Sequence, residues 1–137
     1  MRHVLHGSLC LALIVIATRA VACGHCIEDK IAAVYDYDVV TQALGRKHEV
    51  AFFAMAGELI ATGGTHRLIK RETSKVAGVD PGSVRVSVEN ASLSLAYDPR
   101  AHKLAEIERE LTRRLAPRGL SPGLMRIIDG STSGAGR

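Results

Sequence analysis

Tryptophan is absent, and Phe and Tyr together supply only 4% of the 137 residues. Single-stranded nucleic acid is held largely by bases stacking on aromatic side chains, so the shortage argues against that class of function. A dense basic stripe is lacking as well. The formal charge is +4, from 18 Lys and Arg against 14 Asp and Glu. Two of the basic residues, Arg2 and Arg19, fall in an apolar leader that carries no acid. The remainder is near neutral, and the pI of about 9.2 is weak support for an anionic partner. Lys70, Arg71, Lys75, Arg113 and Arg114 read as solvated helix faces. No Ser-His-Asp arrangement, phosphate loop or paired-carboxylate signature is present. Cysteine is scarce at three residues, too few for a multi-disulfide framework.

The chain opens with Arg2, His3 and His6, followed by an apolar run from Leu9 to Ala17 and the small-x-small triplet Ala20-Val21-Ala22. That is the pattern of a secretory signal peptide, and the run falls short of the ~20 residues a membrane span needs. Cleavage is expected after Ala22, which places the protein in a secreted or periplasmic compartment. An uncleaved anchor is the alternative, as is a lipid-anchored Cys23, although a lipobox prefers Leu where Ala20 stands. Cys10 leaves with the leader, so the two remaining cysteines both lie in Cys23-Gly24-His25-Cys26.

Two thiols and an imidazole within four positions suit a soft metal, Cu(I) or Zn(II), or a reversible disulfide. If the chain begins at Cys23, its free amine, two amides and His25 offer a square-planar nitrogen set for Cu(II) or Ni(II). That amine site does not exist if the leader stays or Cys23 is acylated. The metal ligands expected are therefore Cys23, His25 and Cys26, with copper or zinc as the ion and a metal-transport or metal-acceptor protein as partner. The alternative is a thiol–disulfide oxidoreductase attacking through Cys23 or Cys26. A plain structural disulfide is a third reading.

Downstream, the apolar spacing from Ile27 to Gly45 is helical, with Asp36-Tyr37-Asp38 as the place where it could divide. A strand is expected over Glu49–Met55. Thr65 is the expected N-cap of a helix from His66 to Ala77, and Gly78 its stop. Val84, Val86 and Val88 alternate with polar residues, as do Leu93, Leu95 and Tyr97. This predicts a hairpin through Asn90-Ala91 with one face of each strand buried. Asp98-Pro99 is expected to cap a helix whose inner stripe is Leu104, Ile107, Leu111 and Leu115. Leu124 to Ile128 is a last strand, with Pro122 suited to an edge. The tail from Asp129 is Gly- and Ser-rich and reads as disordered. His48 and His102 read as exposed residues at element ends, and Asp36 and Asp38 as helix-surface residues.

The order strand–helix–strand–strand–helix–strand predicts an α+β, ferredoxin-like sandwich over 47–128, with both helices on one face and a helical segment over 23–46 before it. The stretches Val79-Asp80-Pro81-Gly82-Ser83-Val84-Arg85-Val86-Ser87-Val88 and Leu93-Ser94-Leu95-Ala96-Tyr97-Asp98-Pro99 resemble the heavy-metal-associated domain of copper chaperones and metal-transporting ATPases. The resemblance covers about residues 48 to 128 and implies metal carriage. Its departure is local. Metal-carrying members place Cys-x-x-Cys after the first strand, where this chain has Met55-Ala56-Gly57-Glu58-Leu59-Ile60-Ala61-Thr62-Gly63-Gly64-Thr65-His66. Met55 there reads as core and His66 as surface, so the family's ligands do not carry over to this loop. Cys-Gly-His-Cys also resembles the active site of protein disulfide isomerases, over four residues only.

Overall fold

The computed structural model describes residues 23–131, with side chains from Ile27 onward. The leader with its cleavage site, and residues 132–137 of the tail, lie outside the described residues. In order, the elements are α1 (Cys23–Ala32), α2 (Tyr37–Gly45), β1 (Glu49–Ala56), α3 (Gly63–Ser74), β2 (Arg85–Ser87), β3 (Ser92–Tyr97), α4 (Leu104–Leu115) and β4 (Ser121–Ile128). A turn of 3-10 helix, Ala116–Arg118, follows α4. From β1 onward this is the ferredoxin-like βαββαβ order. The four strands form one sheet, β2-β3-β1-β4, with every neighbouring pair antiparallel.

The sheet buries both of its faces. On one side Ala51, Phe53, Leu93, Leu95 and Tyr97 pack with Ile69 of α3 and with Ile107, Leu111 and Leu115 of α4. This core contains the aliphatic stripe expected on α4. On the other side Val50, Phe52 and Ala96 pack with Ile31 of α1, with Val34 just past its end, and with Val40 and Ala43 of α2. The N-terminal helices therefore form a third layer. This corrects the expectation of a sheet with one face buried: all six residues of β3 are buried, including Ser92, Ser94 and Ala96. Serines and an alanine mark this face because helices lie close over it. Ser94 stays tolerable there by donating its hydroxyl to Val34 O at 2.8 Å, since a buried hydroxyl without a partner is costly.

Several boundaries differ from the sequence expectation for local reasons. The helical stretch after the motif does divide. Asp36 has an extended backbone, and its carboxylate accepts from Asp38 and Val39 N–H, capping α2. Helix α3 starts earlier than expected, capped by Thr62, whose hydroxyl accepts from Thr65 N–H at 3.1 Å. Both glycines of Gly63-Gly64 thus enter the helix. It stops at Ser74, and Gly78 turns the chain at φ +94° with no room for a Cβ, which would meet His102 Cγ at 2.5 Å. Asp98 does not cap α4. It accepts from Arg100 N–H and from the Arg100 guanidinium, so 98–102 is a turn and α4 begins at Leu104 behind Lys103. Strand β4 extends back to Ser121 and takes in Pro122. It is an edge strand, as Pro122 requires, and it bulges at Met125, where the register with Phe52 and Phe53 shifts.

Candidate functional site

Helix α1 crosses the sheet. At its middle Glu28 pairs with the Arg126 guanidinium on β4. Just past its end the Val34 carbonyl meets Ser94 on β3, and Asp36 pairs with Arg85 on β2 at 2.8 Å. Lys30, in between, donates to the carbonyls of Asn90 at 2.6 Å and Ala91 at 3.4 Å, at the tip of the β2–β3 hairpin. The helix is thus tied to β4 and to the hairpin, and the turn that follows it to β3 and β2. The carboxylates of Glu28 and Asp36 are both held ionised. The Arg126 hydrogen bond lowers the pKa of Glu28. For Asp36 the Val39 N–H comes first and the Arg85 guanidinium second.

Cys23, His25 and Cys26 lie in the first turn of α1. Their side chains are outside the described residues, and the helix fixes their backbone positions. Cys23 and Cys26 are three residues apart on the helix, so they occupy neighbouring positions on one side of it. The turn lies N-terminal to Glu28, the residue that meets edge strand β4, and rises about 1.5 Å per residue away from it. Below the middle of α1 is a cavity of about 360 Å³ lined by Glu28, Ile31, Ala32, Tyr35, Arg126 and Ile128.

The loop after β1 carries no comparable donor set. Met55 is buried in the α3/α4 core, and His66 is half-buried in the first turns of α3. Among the described residues no group of three or more His, Cys, Asp or Glu is placed to hold a metal ion.

One charged cluster went unseen in the sequence. His48, expected to be exposed, sits between two carboxylates, with Nδ1 2.7 Å from Asp80 and Nε2 3.7 Å from Asp98. Arg46 also reaches Asp80, at 3.1 Å. Lys47 adopts a left-handed φ of 61°, and His48 N–H closes back on Ala43 O. That turn delivers the imidazole from the end of α2 to the loops at the base of the sheet. Its two nitrogens face different acids and do not converge on one point, so the cluster is a clamp between α2 and the ends of β2 and β3 rather than a metal site. The only signal for it in the sequence is that both acids stand in Asp-Pro pairs. Asp36 is likewise more than a surface residue, since it caps α2 and holds Arg85.

No protein-family model matches the chain, and no curated protein matches it. Among solved structures, a copper binding domain from a P-type ATPase is similar at 14% identity and TM-score 0.46, over 58% of this chain and 96% of that one. Oxidized MerP from Ralstonia metallidurans is similar at 19% identity and TM-score 0.46, over 58% and 99%. The N-terminal domain of a potential copper-translocating P-type ATPase from Bacillus subtilis, in its Cu(I)-loaded state, is similar at 18% identity and TM-score 0.45, over 66% and 99%. Likeness at this level carries no argument about what this chain binds.

Proposed function

We propose that this is an exported binding protein that holds one soft metal ion, copper before zinc, through Cys23, His25 and Cys26, and passes it to an acceptor protein. The observation that supports the reading is the placement of Cys23 and Cys26 three residues apart in the first turn of α1, a helix held by Glu28 and Lys30 and by the turn that follows it; His25, between them, joins the pair on one ion only if that first turn unwinds. Two thiolates and an imidazole satisfy Cu(I) and leave a tetrahedral ion one ligand short. An incoming partner can fill that position and take the ion. The ferredoxin-like sheet serves as the mount, and its own first loop stays out of the chemistry.

The test is metal stoichiometry of the purified chain, anaerobically reduced, with Cu(I) and with Zn(II) against a chromogenic competitor. One equivalent bound by the wild type and none by Cys23→Ser/Cys26→Ser is the expected outcome. A wild-type chain that binds neither ion above the double variant refutes the reading. Insulin-reductase activity that depends on the same cysteines, without metal binding, would install the oxidoreductase reading in its place. Mass spectrometry of the mature N-terminus reports the cleavage site and any acylation of Cys23.

A further inference from the structure

The fold sorts charge between the two sides of the sheet. Residues 63–75 and 103–118, which form α3, α4 and their ends, contain nine Lys and Arg (Arg67, Lys70, Arg71, Lys75, Lys103, Arg109, Arg113, Arg114 and Arg118) against four Glu, a net +5. Residues 23–46, the α1/α2 layer, contain two basic residues against four acids, a net −2. Basic residues that look scattered in the sequence are gathered onto one face. Their neutralisation there is incomplete. Glu72 is shared by Arg71, Lys75 and Arg114, and Glu110 by Arg113 and Arg114. Two carboxylates thus serve four cations, and those cations hold the carboxylates ionised, Arg71 first at Glu72 and Arg113 first at Glu110. Arg67, Arg109 and Arg118 are exposed and form none of the ion pairs found among the described residues; Lys70 lies at the β2 edge, beside Tyr35 and Asp36.

Exposed aliphatic side chains border the same face. Ile127 and Leu124 of β4 are 37% and 41% exposed. They pair across the strands with Ala51 and Phe53, which belong to the α3/α4 core, and directly opposed residues share a face of the sheet. The cations run along two helices of 12 residues each, so they present a broad area rather than a pocket for one small anion.

We propose that the α3/α4 face is a docking surface for an anionic lipid bilayer, with the basic residues over the headgroups and Leu124 and Ile127 at the margin entering the interface. A bilayer fits a broad basic area with an aliphatic rim better than an acidic protein does, because such a protein would leave the rim in water. The inference is independent of the metal reading. It turns α1 and the cysteine motif away from the membrane, toward the opposite side of the sheet.

The test is co-sedimentation of the full chain with vesicles of phosphatidylcholine alone and of phosphatidylcholine mixed with phosphatidylglycerol, at low and high salt. The leader carries Arg2 and Arg19 and itself favours anionic vesicles, so the comparison between the full chain and variants that share that leader isolates the contribution of the face. Binding to the mixed vesicles that weakens as salt is raised is expected. Each exposed cation contributes about fivefold, so Arg67→Ala/Arg109→Ala loses about 25-fold. Arg46→Ala, a charge change on the α2 side, leaves binding as it was. Leu124→Ser/Ile127→Ser weakens binding at both salt concentrations. Circular dichroism confirms that each variant is folded. Equal binding to both vesicle types, or mixed-vesicle binding that survives Arg67→Ala/Arg109→Ala, overturns the proposal. Salt-sensitive capture of polyglutamate without capture of mixed vesicles also overturns it, and assigns the face to an acidic protein.

Discussion

Phe52 and Phe53 are neighbours on β1, both wholly buried, and they point to opposite sides of the sheet. Replacing each by Ala tests whether the N-terminal layer is part of the fold. Phe53 lies in the α3/α4 core, where Phe→Ala costs ~3–5 kcal/mol through lost transfer energy and an unfilled cavity. Phe52 lies under the N-terminal layer, packed among Ile31, Val34, Val40 and Ala43, with the Tyr35 ring stacked on it at 6.4 Å between centroids. If the layer is an integral third of the structure, Phe52→Ala costs a similar ~3–4 kcal/mol. Tyr35 is 45% exposed and can relax partway into the gap, so the lower half of the range is expected. With a urea m-value of about 1.5 kcal/mol/M, that moves the midpoint down by roughly 2 M. Urea titration followed by circular dichroism should give one cooperative transition for wild type and both variants. If the helices were a loosely held appendage, Phe52 would face water in much of the ensemble, and its loss would cost under about 1 kcal/mol. That result, or a separate early transition in the wild type, refutes the three-layer reasoning.

Gly78→Ala should destabilise by at least ~2 kcal/mol, because the left-handed φ disfavours any side chain and the new Cβ meets His102. Adding His102→Ala should recover part of the loss in the same urea assay, and no recovery would show that the contact is not the cause. Thr62→Ala should cost ~1 kcal/mol as a lost N-cap, and Thr65→Ala only a few tenths; the reverse ranking would place the helix start where the sequence suggested. Arg100, through its guanidinium and then its N–H, holds the Asp98 carboxyl down to about 2, below the ordinary unfolded value near 3.9. A depressed folded pKa contributes stability that is present above about pH 4 and is lost as pH falls through 2. Melting temperature measured from pH 5 to pH 1.5 should therefore fall less steeply for Asp98→Asn than for wild type, and parallel profiles would count against the assignment.

The strand and helix order could be read from periodicity. Leu104, Ile107, Leu111 and Leu115 mark one helix stripe, and Val84, Val86 and Val88 one strand face, because each pattern is local. What could not be read are the features that depend on partners far along the chain. Ser92, Ser94 and Ala96 look like a solvent face, and only the arrival of α1 and α2 makes them interior. Asp98-Pro99 has the chemistry of a helix start, but Arg100 captures the carboxylate first. Thr62 and Thr65 are equally good caps in isolation, and the choice between them turns on how far Gly63-Gly64 will wind. His48 looks like a loop histidine until the turn at Lys47 sets it between Asp80 and Asp98. That the cysteine motif opens a helical segment was legible. Its mount was not, since every anchor of α1 comes from another part of the chain.

Those anchors set a timetable for biosynthesis. The α1 residues leave the ribosome before any strand, yet Val34 waits for a serine 60 residues later and Glu28 for an arginine 98 residues later. Asp36 must likewise wait for Arg85, 49 residues on. Contacts at such separations close late, so Cys23 and Cys26 pass most of synthesis on an untethered segment. An oxidant, metal ion or carrier protein that reaches these thiols during synthesis meets them before their mount has been assembled.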